Sequence, residues 1–400
     1  MYKKKRSQVT VYIILGIIIL FVAILFFYLR GTTEKVESMQ ELVRAQKIPE
    51  EVRPITNYVT TQLDDAAKKG LLLIGMQGGC IYEGQGGLTR DDTKSILYNK
   101  NNVSYGLYKQ KIEYISFYQP NPPNYPWHKF PYTLDINSGY FGVYNLPPLT
   151  GSGPSIQLQL EYFIINYMQE NIDLMIIFNE WGFDIDADIN KINVSVIIGE
   201  NDVTAFLTYP LEITKRSTSE TTSISYFYTN PQIRLRKVYN LAHDLMKKDI
   251  VGILFDVDSP DNDKDNINIE KIEDAYEHDD IIIIRDNKSM LYAEPYTFQF
   301  ARENRYPALH YINHVSPFLF SLPPPFPTIT EGEIHSRVNP KAYDPDEDKF
   351  FFSYSPSPYQ LKQSDFDNGY ISLTVYVKEK DNEAYQDWQE ITIGIGPALP

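Results

Sequence analysis

From Val9 to Leu29 the chain reads VTVYIILGIIILFVAILFFYL, a run without a single charged side chain. As a helix rising about 1.5 Å per residue, it reaches about 30 Å, the thickness of a bilayer core. Backbone N–H and C=O groups must be satisfied within lipid, so such a run crosses only as a helix. Tyr12 and Tyr28 stand near its ends, where aromatic rings favour the interface. Lys3, Lys4, Lys5 and Arg6 precede the run and Arg30 alone follows it closely. The positive-inside rule then keeps residues 1–8 in the cytoplasm and sends the remainder outside. A cleaved secretory signal would be shorter and end in small residues, whereas this run closes on Tyr28-Leu29-Arg30-Gly31. The expectation is a single-pass cell-membrane protein, with residues 9–29 as a retained signal anchor and the lipid bilayer as its first partner.

The five basic residues before position 31 are accompanied by no acid, so setting them aside turns the total charge of −15 into −20 for the remainder. An acidic surface of that size repels phosphate backbones, which excludes nucleic acid as a natural partner. The single cysteine, Cys80, cannot form an internal disulfide. It reads as a small buried apolar side chain.

Residues 30–70 read as a helical stalk. Val36, Met39, Leu42 and Val43 share one helical face, Pro49 and Pro54 interrupt it, and a second helix runs from Ile55 to Lys69 with Gly70 ending it. Residues 71–302 read as an α+β ectodomain, divisible into 71–150 and 151–302. Its opening is glycine-rich, with Gln77-Gly78-Gly79 repeated as Gln85-Gly86-Gly87. Neither a Walker loop nor a Rossmann fingerprint is present, so these glycines read as turns. Residues 105–148 crowd aromatics between prolines, including Tyr125, Trp127 and Tyr132. Such rings either cover a core or grip a glycan or a cell-surface protein. Further on, helices are expected over 154–168 and 233–247. A hairpin is expected over 193–207 through Gly199-Glu200-Asn201-Asp202. Short strands are expected at 253–257, 281–284 and 296–300.

Two motifs carry resemblances. Lys5-Arg6-Ser7-Gln8-Val9-Thr10 resembles the processing site of archaeal pilin-type precursors, clipped just before a Gln that opens the apolar helix; Ser7 and Tyr12 depart from that pattern. Residues 303–398 contain Asn304-Arg305-Tyr306-Pro307-Ala308-Leu309, then Glu331-Gly332-Glu333, Asp344-Pro345-Asp346-Glu347-Asp348 and two closing strands, 371–377 and 388–395. This order resembles the cadherin-like and PKD-like immunoglobulin sandwiches of cell-surface proteins. The resemblance implies a C-terminal Ig-like β-sandwich and Ca²⁺ held by Asp344, Asp346 and Asp348, since hard cations take clustered oxygens. Glu347 stands where those turns usually carry glycine, and a side chain disfavours positive φ there. A solvated acidic turn is the alternative.

No catalytic constellation is visible. His310 and His314 lack an H-E-x-x-H setting, no G-x-S-x-G elbow occurs, and Asp256–Asn266 lacks the glycine and terminal glutamate of an EF-hand. The fold class expected is thus α+β: transmembrane helix, helical stalk, central α+β domain, terminal Ig-like sandwich. The function expected is a surface protein for adhesion, binding or envelope structure. The alternatives are a pilin-like filament subunit and an anchored hydrolase of envelope polymers.

Overall fold

The computed structural model describes residues 14, 15, 17, 20, 39–109, 138–139, 141–151, 153–312, 315–320 and 326–397. Most of the 9–29 run, its pilin-like leader and most of the aromatic 105–148 stretch lie outside the described residues. Ile14, Leu15, Ile17 and Leu20 are helical and about half exposed. Among the described residues no helix is long and apolar enough to cross a membrane. The longest described helix, Arg53–Met76, carries Asp64, Asp65, Lys68 and Lys69 in its middle, tied as two i,i+4 ion pairs of 2.6 and 2.9 Å. The expected transmembrane helix, signal anchor and single-pass location are corrected accordingly.

Helix α1 (Arg53–Met76) is followed by strands β1 (Ser95–Tyr98), β2 (Asn101–Tyr108), β3 (Ser138–Gly139) and β4 (Gly142–Tyr144). Helices α2 (Ile156–Asn171) and α3 (Leu174–Asn179) precede β5 (Phe183–Ala187), β6 (Asn193–Ile198), β7 (Val203–Lys215) and β8 (Glu220–Thr229). After α4 (Leu235–Asp249) come β9 (Ile267–Tyr276), β10 (Asp279–Leu291) and β11 (Glu294–Arg302). The remainder holds β12 (Ala308–Leu309), β13 (Phe318–Phe320), β14 (Thr328–Ile329), α5 (Glu331–Val338) and β15 (Ala342–Tyr343). It closes with β16 (Phe350–Ser355), β17 (Tyr359–Gln360), α6 (Gln363–Asn368), β18 (Tyr370–Glu379) and β19 (Gln386–Pro397). These elements fall into two compact units, one of residues 1–72, 81–91 and 149–236, the other of 73–80, 92–148 and 237–400.

In the first unit, β6, β7 and β5 form an antiparallel sheet, with β8 on the other edge of β7. The β6–β7 hairpin sets Ile198 opposite Val203, as the alternating apolar residues require. Ser155 caps α2 by accepting a hydrogen bond from the Leu158 backbone N–H at 3.3 Å. From Arg53 onward the expected stalk is a core helix instead, whereas residues 39–45 are helical without being buried. Ile55, Val59, Leu63, Ala66 and Leu71 recur at helical spacing along α1 and are fully buried.

Gly70 does not end that helix. A Cβ there would come within 3.0 Å of the flexible Leu160 and Phe163 side chains, so the glycine permits close packing within the first unit. Gly75, in the second unit, is tighter still: a Cβ would sit 2.2 Å from the Thr297 carbonyl oxygen, which is backbone and cannot turn aside. Gly75→Ala is therefore expected to cost about 1–3 kcal/mol. Gly70→Ala is expected to be near neutral, because Ala restores about 1 kcal/mol of helix propensity. Denaturant unfolding of the two variants side by side checks this; equal midpoints would count against the close approach.

The second unit contains a seven-stranded sheet ordered β3-β4-β2-β11-β10-β9, with β1 beside β2. Among the described strands of this sheet, only the β2–β11 pairing is parallel. Ile281, Ile282, Ile283 and Ile284 of β10 are all buried, the pattern of a strand covered on both faces. Residues 253–257, expected as a strand, form turns. The expected two-sheet sandwich at 303–398 is also corrected. One four-stranded sheet, β13-β19-β18-β16, is accompanied by two-stranded ladders β12–β15 and β14–β17 and by helices α5 and α6. Ile371, Leu373, Val375 and Val377 turn inward from β18 and meet Ile334 and Val338 of α5 in one core. The Glu331-Gly332-Glu333 segment begins a helix because Thr330 and Glu333 form a capping box.

Candidate cation site

The acidic turn between β15 and β16 lies within the second unit beside two buried arginines. Arg305 is completely buried. Its Nη2 donates to Asp249 Oδ1 at 3.0 Å, Asp346 Oδ1 at 2.8 Å and the Pro345 carbonyl at 2.8 Å. Its backbone N–H donates to Asp346 Oδ2 at 2.7 Å. Arg302 Nη2 donates to Asp280 Oδ2 at 2.6 Å, and its Nη1 reaches Asp249 Oδ2 at 3.3 Å. Burial opposes ionisation of Asp346, but the charges of Arg305 and Arg302 outweigh it and hold the carboxyl below its usual range. Both Asp346 oxygens are thereby taken by arginine.

Asp344 is arranged differently. Its Oδ1 accepts the backbone N–H groups of Asp346 at 2.8 Å and Asp348 at 3.1 Å, which closes the turn around the carboxylate. Glu347, in the middle, adopts φ 71° despite its Cβ, and Lys271 Nζ holds its carboxylate at 3.1 Å. At the end of β18, Glu379 lies opposite Phe350 of β16. Its Oε2 accepts from Asn304 Nδ2 at 3.1 Å, and the Asn304 backbone N–H donates to Asp279 Oδ1 at 2.8 Å. Asp279 also receives the Tyr105 hydroxyl.

Three oxygens in this neighbourhood are buried without a hydrogen-bond partner: Asp344 Oδ2, Glu379 Oε1 and Asn304 Oδ1. Their side chains are over nine-tenths buried, with Asp344 7% exposed, Glu379 3% and Asn304 2%. An orphaned buried acceptor costs about 1–3 kcal/mol, so three together require an explanation. The local charge supplies one. The guanidiniums of Arg302 and Arg305 are engaged by Asp249, Asp280 and Asp346, while Asp344, Asp348 and Glu379 add negative charge beside them. Burial, then the negative charge of Asp346, pushes Asp344 up to about 8. Burial, then Asp344, pushes Glu379 up to about 9. Burial, then Asp346, pushes Asp348 up to about 6. Lys271 beside Asp280 and His278 beside Asp348 act only weakly against this negative charge.

Of the expected trio, then, Asp346 serves the arginines, Asp344 keeps one oxygen unpartnered, and Asp348 is half-buried beside them. Glu379 and Asn304 join Asp344 without any cue from the sequence motif. Among the described residues no three His, Cys, Asp or Glu side chains form a metal-ligand group. The orphaned set is two carboxylates and one amide carbonyl, a hard-oxygen set suited to Ca²⁺ rather than to Zn²⁺. His310 is not joined by a described His314. In the 256–266 loop, Asp263 is spent on the Ile269 N–H at 2.9 Å and on Asn268 Nδ2 at 2.9 Å. Cys80 is buried.

No family model and no curated protein matches the chain. The pilin-like and cadherin-like resemblances therefore rest on their own motifs.

Proposed function

We propose that the chain is a non-catalytic binding protein whose second unit is clamped by a hard divalent cation, Ca²⁺, at Asp344, Glu379 and Asn304. The observation that carries this reading is that three buried oxygens of these neighbouring side chains are left without a hydrogen-bond partner. A divalent ion satisfies all three at once and replaces the protons that Asp344 and Glu379 otherwise retain. The ion would tie the 344–348 turn to the end of β18 and to the segment leaving β11. Rigid presentation of a β surface is what an adhesion or binding role requires.

The test is thermal unfolding of the full chain in chelator and in excess Ca²⁺. An ion at 100 times its Kd stabilises by about 2.7 kcal/mol, an upward shift of roughly 5–10 °C for a unit of this size. Asp344→Asn is expected to abolish the shift while leaving the chelated protein at least as stable, since the amide carries no charge to bury. A wild-type protein indifferent to Ca²⁺, or a variant with an undiminished response, sinks the reading.

A further inference from the structure

Strand β8 borders the sheet of the first unit: it pairs with β7, and among the described residues no strand lies on its other side. From Thr221 to Thr229 it reads TTSISYFYT, rich in β-branched and aromatic residues and without a charge, a proline or a glycine. An edge strand of that composition templates pairing with another chain unless something blunts it. Here one side chain does so. Gln46 Oε1 accepts the backbone N–H groups of Ser225 at 2.7 Å and Tyr226 at 2.9 Å, and its Nε2 donates to the Tyr226 carbonyl at 2.7 Å. The register shift between Thr208 and Leu211 of β7 falls opposite Ser225, which lets two successive N–H groups face the same way. A carboxamide thus makes with Tyr226 the donor-and-acceptor pair that a residue of a neighbouring strand makes.

That contact identifies the ligand chemistry as a peptide backbone, because one donor and one acceptor at amide spacing are what the strand edge engages in Gln46. The β6 border is sealed differently. Val196 donates its N–H to Glu161 Oε1 at 2.9 Å, and its carbonyl accepts Gln157 Nε2 at 3.0 Å. Both side chains belong to α2, which Ile156, Leu160 and Ile164 anchor in the core. Gln46 instead follows a helical stretch in which Glu41, Leu42, Arg44 and Ala45 are exposed, and exposed Lys47 and Pro49 come after it. A plug so lightly tethered opens at low cost. The strand is also its own complement. Antiparallel pairing about a two-fold axis sets its outward amides, those of Tyr226 and, two residues on, Tyr228, against the same amides of another copy. Its rings and β-branched side chains then meet as cross-strand pairs. We infer that, when Gln46 withdraws, β8 pairs edge to edge with β8 of a second copy of the chain, joining two four-stranded sheets into one. Until then Gln46 occupies the place of the partner strand. All of these residues belong to the first unit, and the inference stands without the cation site.

Sedimentation velocity of the full chain over a concentration series, joined to hydrogen exchange of the β8 amides, tests the inference. Gln46→Ala is expected to dimerise with a Kd about tenfold or more below that of the wild-type chain, because no competing amide has to be displaced. Gln46→Glu keeps the acceptor for the two N–H groups and loses the donor, so its Kd is expected to lie between the two. It carries the test if the melting curve shows that Gln46→Ala does not fold. The Tyr226 and Tyr228 amides are expected to exchange more slowly in the dimer than in the monomer. Adding Tyr226→Lys to Gln46→Ala brings like charges to the shared edge and is expected to return the Kd to the wild-type value. Equal Kd values for the wild type and the folded Gln46 variants overturn the inference. So does a tightening that survives Tyr226→Lys, or one that leaves exchange along β8 unchanged.

Discussion

Replacing Arg305 by methionine is expected to lower the melting temperature by roughly 6–20 °C. The side chain is entirely buried and its guanidinium contacts both Asp346 and Asp249. Methionine fills similar space but leaves two buried carboxylates to Arg302 alone. Removing one member of a buried ion network costs about 3–5 kcal/mol, because the remaining charge has no water to turn to, and in a domain of this size each kcal/mol is worth roughly 2–4 °C. The double variant Arg305→Met, Asp346→Leu should recover part of the loss, since it removes the stranded charge along with its partner. Differential scanning calorimetry of the two variants decides the matter. A loss below about 1 kcal/mol, the scale of an exposed ion pair, would show that the network is solvated.

The second large effect concerns pH. Asp344 and Glu379 have pKa values of about 8 and about 9 in the fold, above their ordinary values of 3.8 and 4.5. The folded chain therefore holds more protons than the unfolded chain between those limits. The stability contributed by these protonated groups is full below their ordinary pKa values and is lost as pH rises through about 8 to 9. In chelator the melting temperature should fall on going from about pH 6 to about pH 9, by at least the roughly 4 °C that corresponds to about 2 kcal/mol. Asp346 acts in the opposite direction, but only in acid, below its ordinary 3.8. Ca²⁺ competes with the same protons, so its stabilisation should grow over the same interval and offset the alkaline loss. The four-way comparison of two pH values with and without Ca²⁺ is a single melting experiment. A Ca²⁺ shift that shrinks with rising pH would mean that the ion binds elsewhere.

Part of this site was legible in the residues and part was not. Asp344-Pro345-Asp346-Glu347-Asp348 announces a carboxylate-rich turn, and Ile371 to Val377 announces a strand with one buried face. Glu379 reads as one more polar residue where that strand ends. Its partner Asn304 is 75 positions away, a pairing that no local pattern encodes. Arg302 and Arg305 belong to a residue type that is almost always exposed, so nothing in the sequence marks them as the interior counter-charges that claim Asp346. Other departures were readable on physical grounds. Thr330-Glu331-Gly332-Glu333 spells a capping box, the start of a helix inside the stretch expected to form a sandwich. Gly70 suits a helix end by composition, yet the helix runs on to Met76, and the missing Cβ leaves room for Leu160 and Phe163, a proximity visible only in three dimensions.

The division of the second unit among residues 73–80, 92–148 and 237–400 has a consequence for biosynthesis. Strand β2 leaves the ribosome early, yet its parallel neighbour β11 follows only after the whole of 149–236 has been made. Until then the β2 edge that will take β11 is an unpaired template for any other nascent strand, the kind of exposure that chaperones guard. Asp346, which Arg305 requires, emerges later again. Termination between Arg305 and the 344–348 turn would thus release a chain whose Arg305 keeps Asp249 but lacks Asp346, its other carboxylate partner.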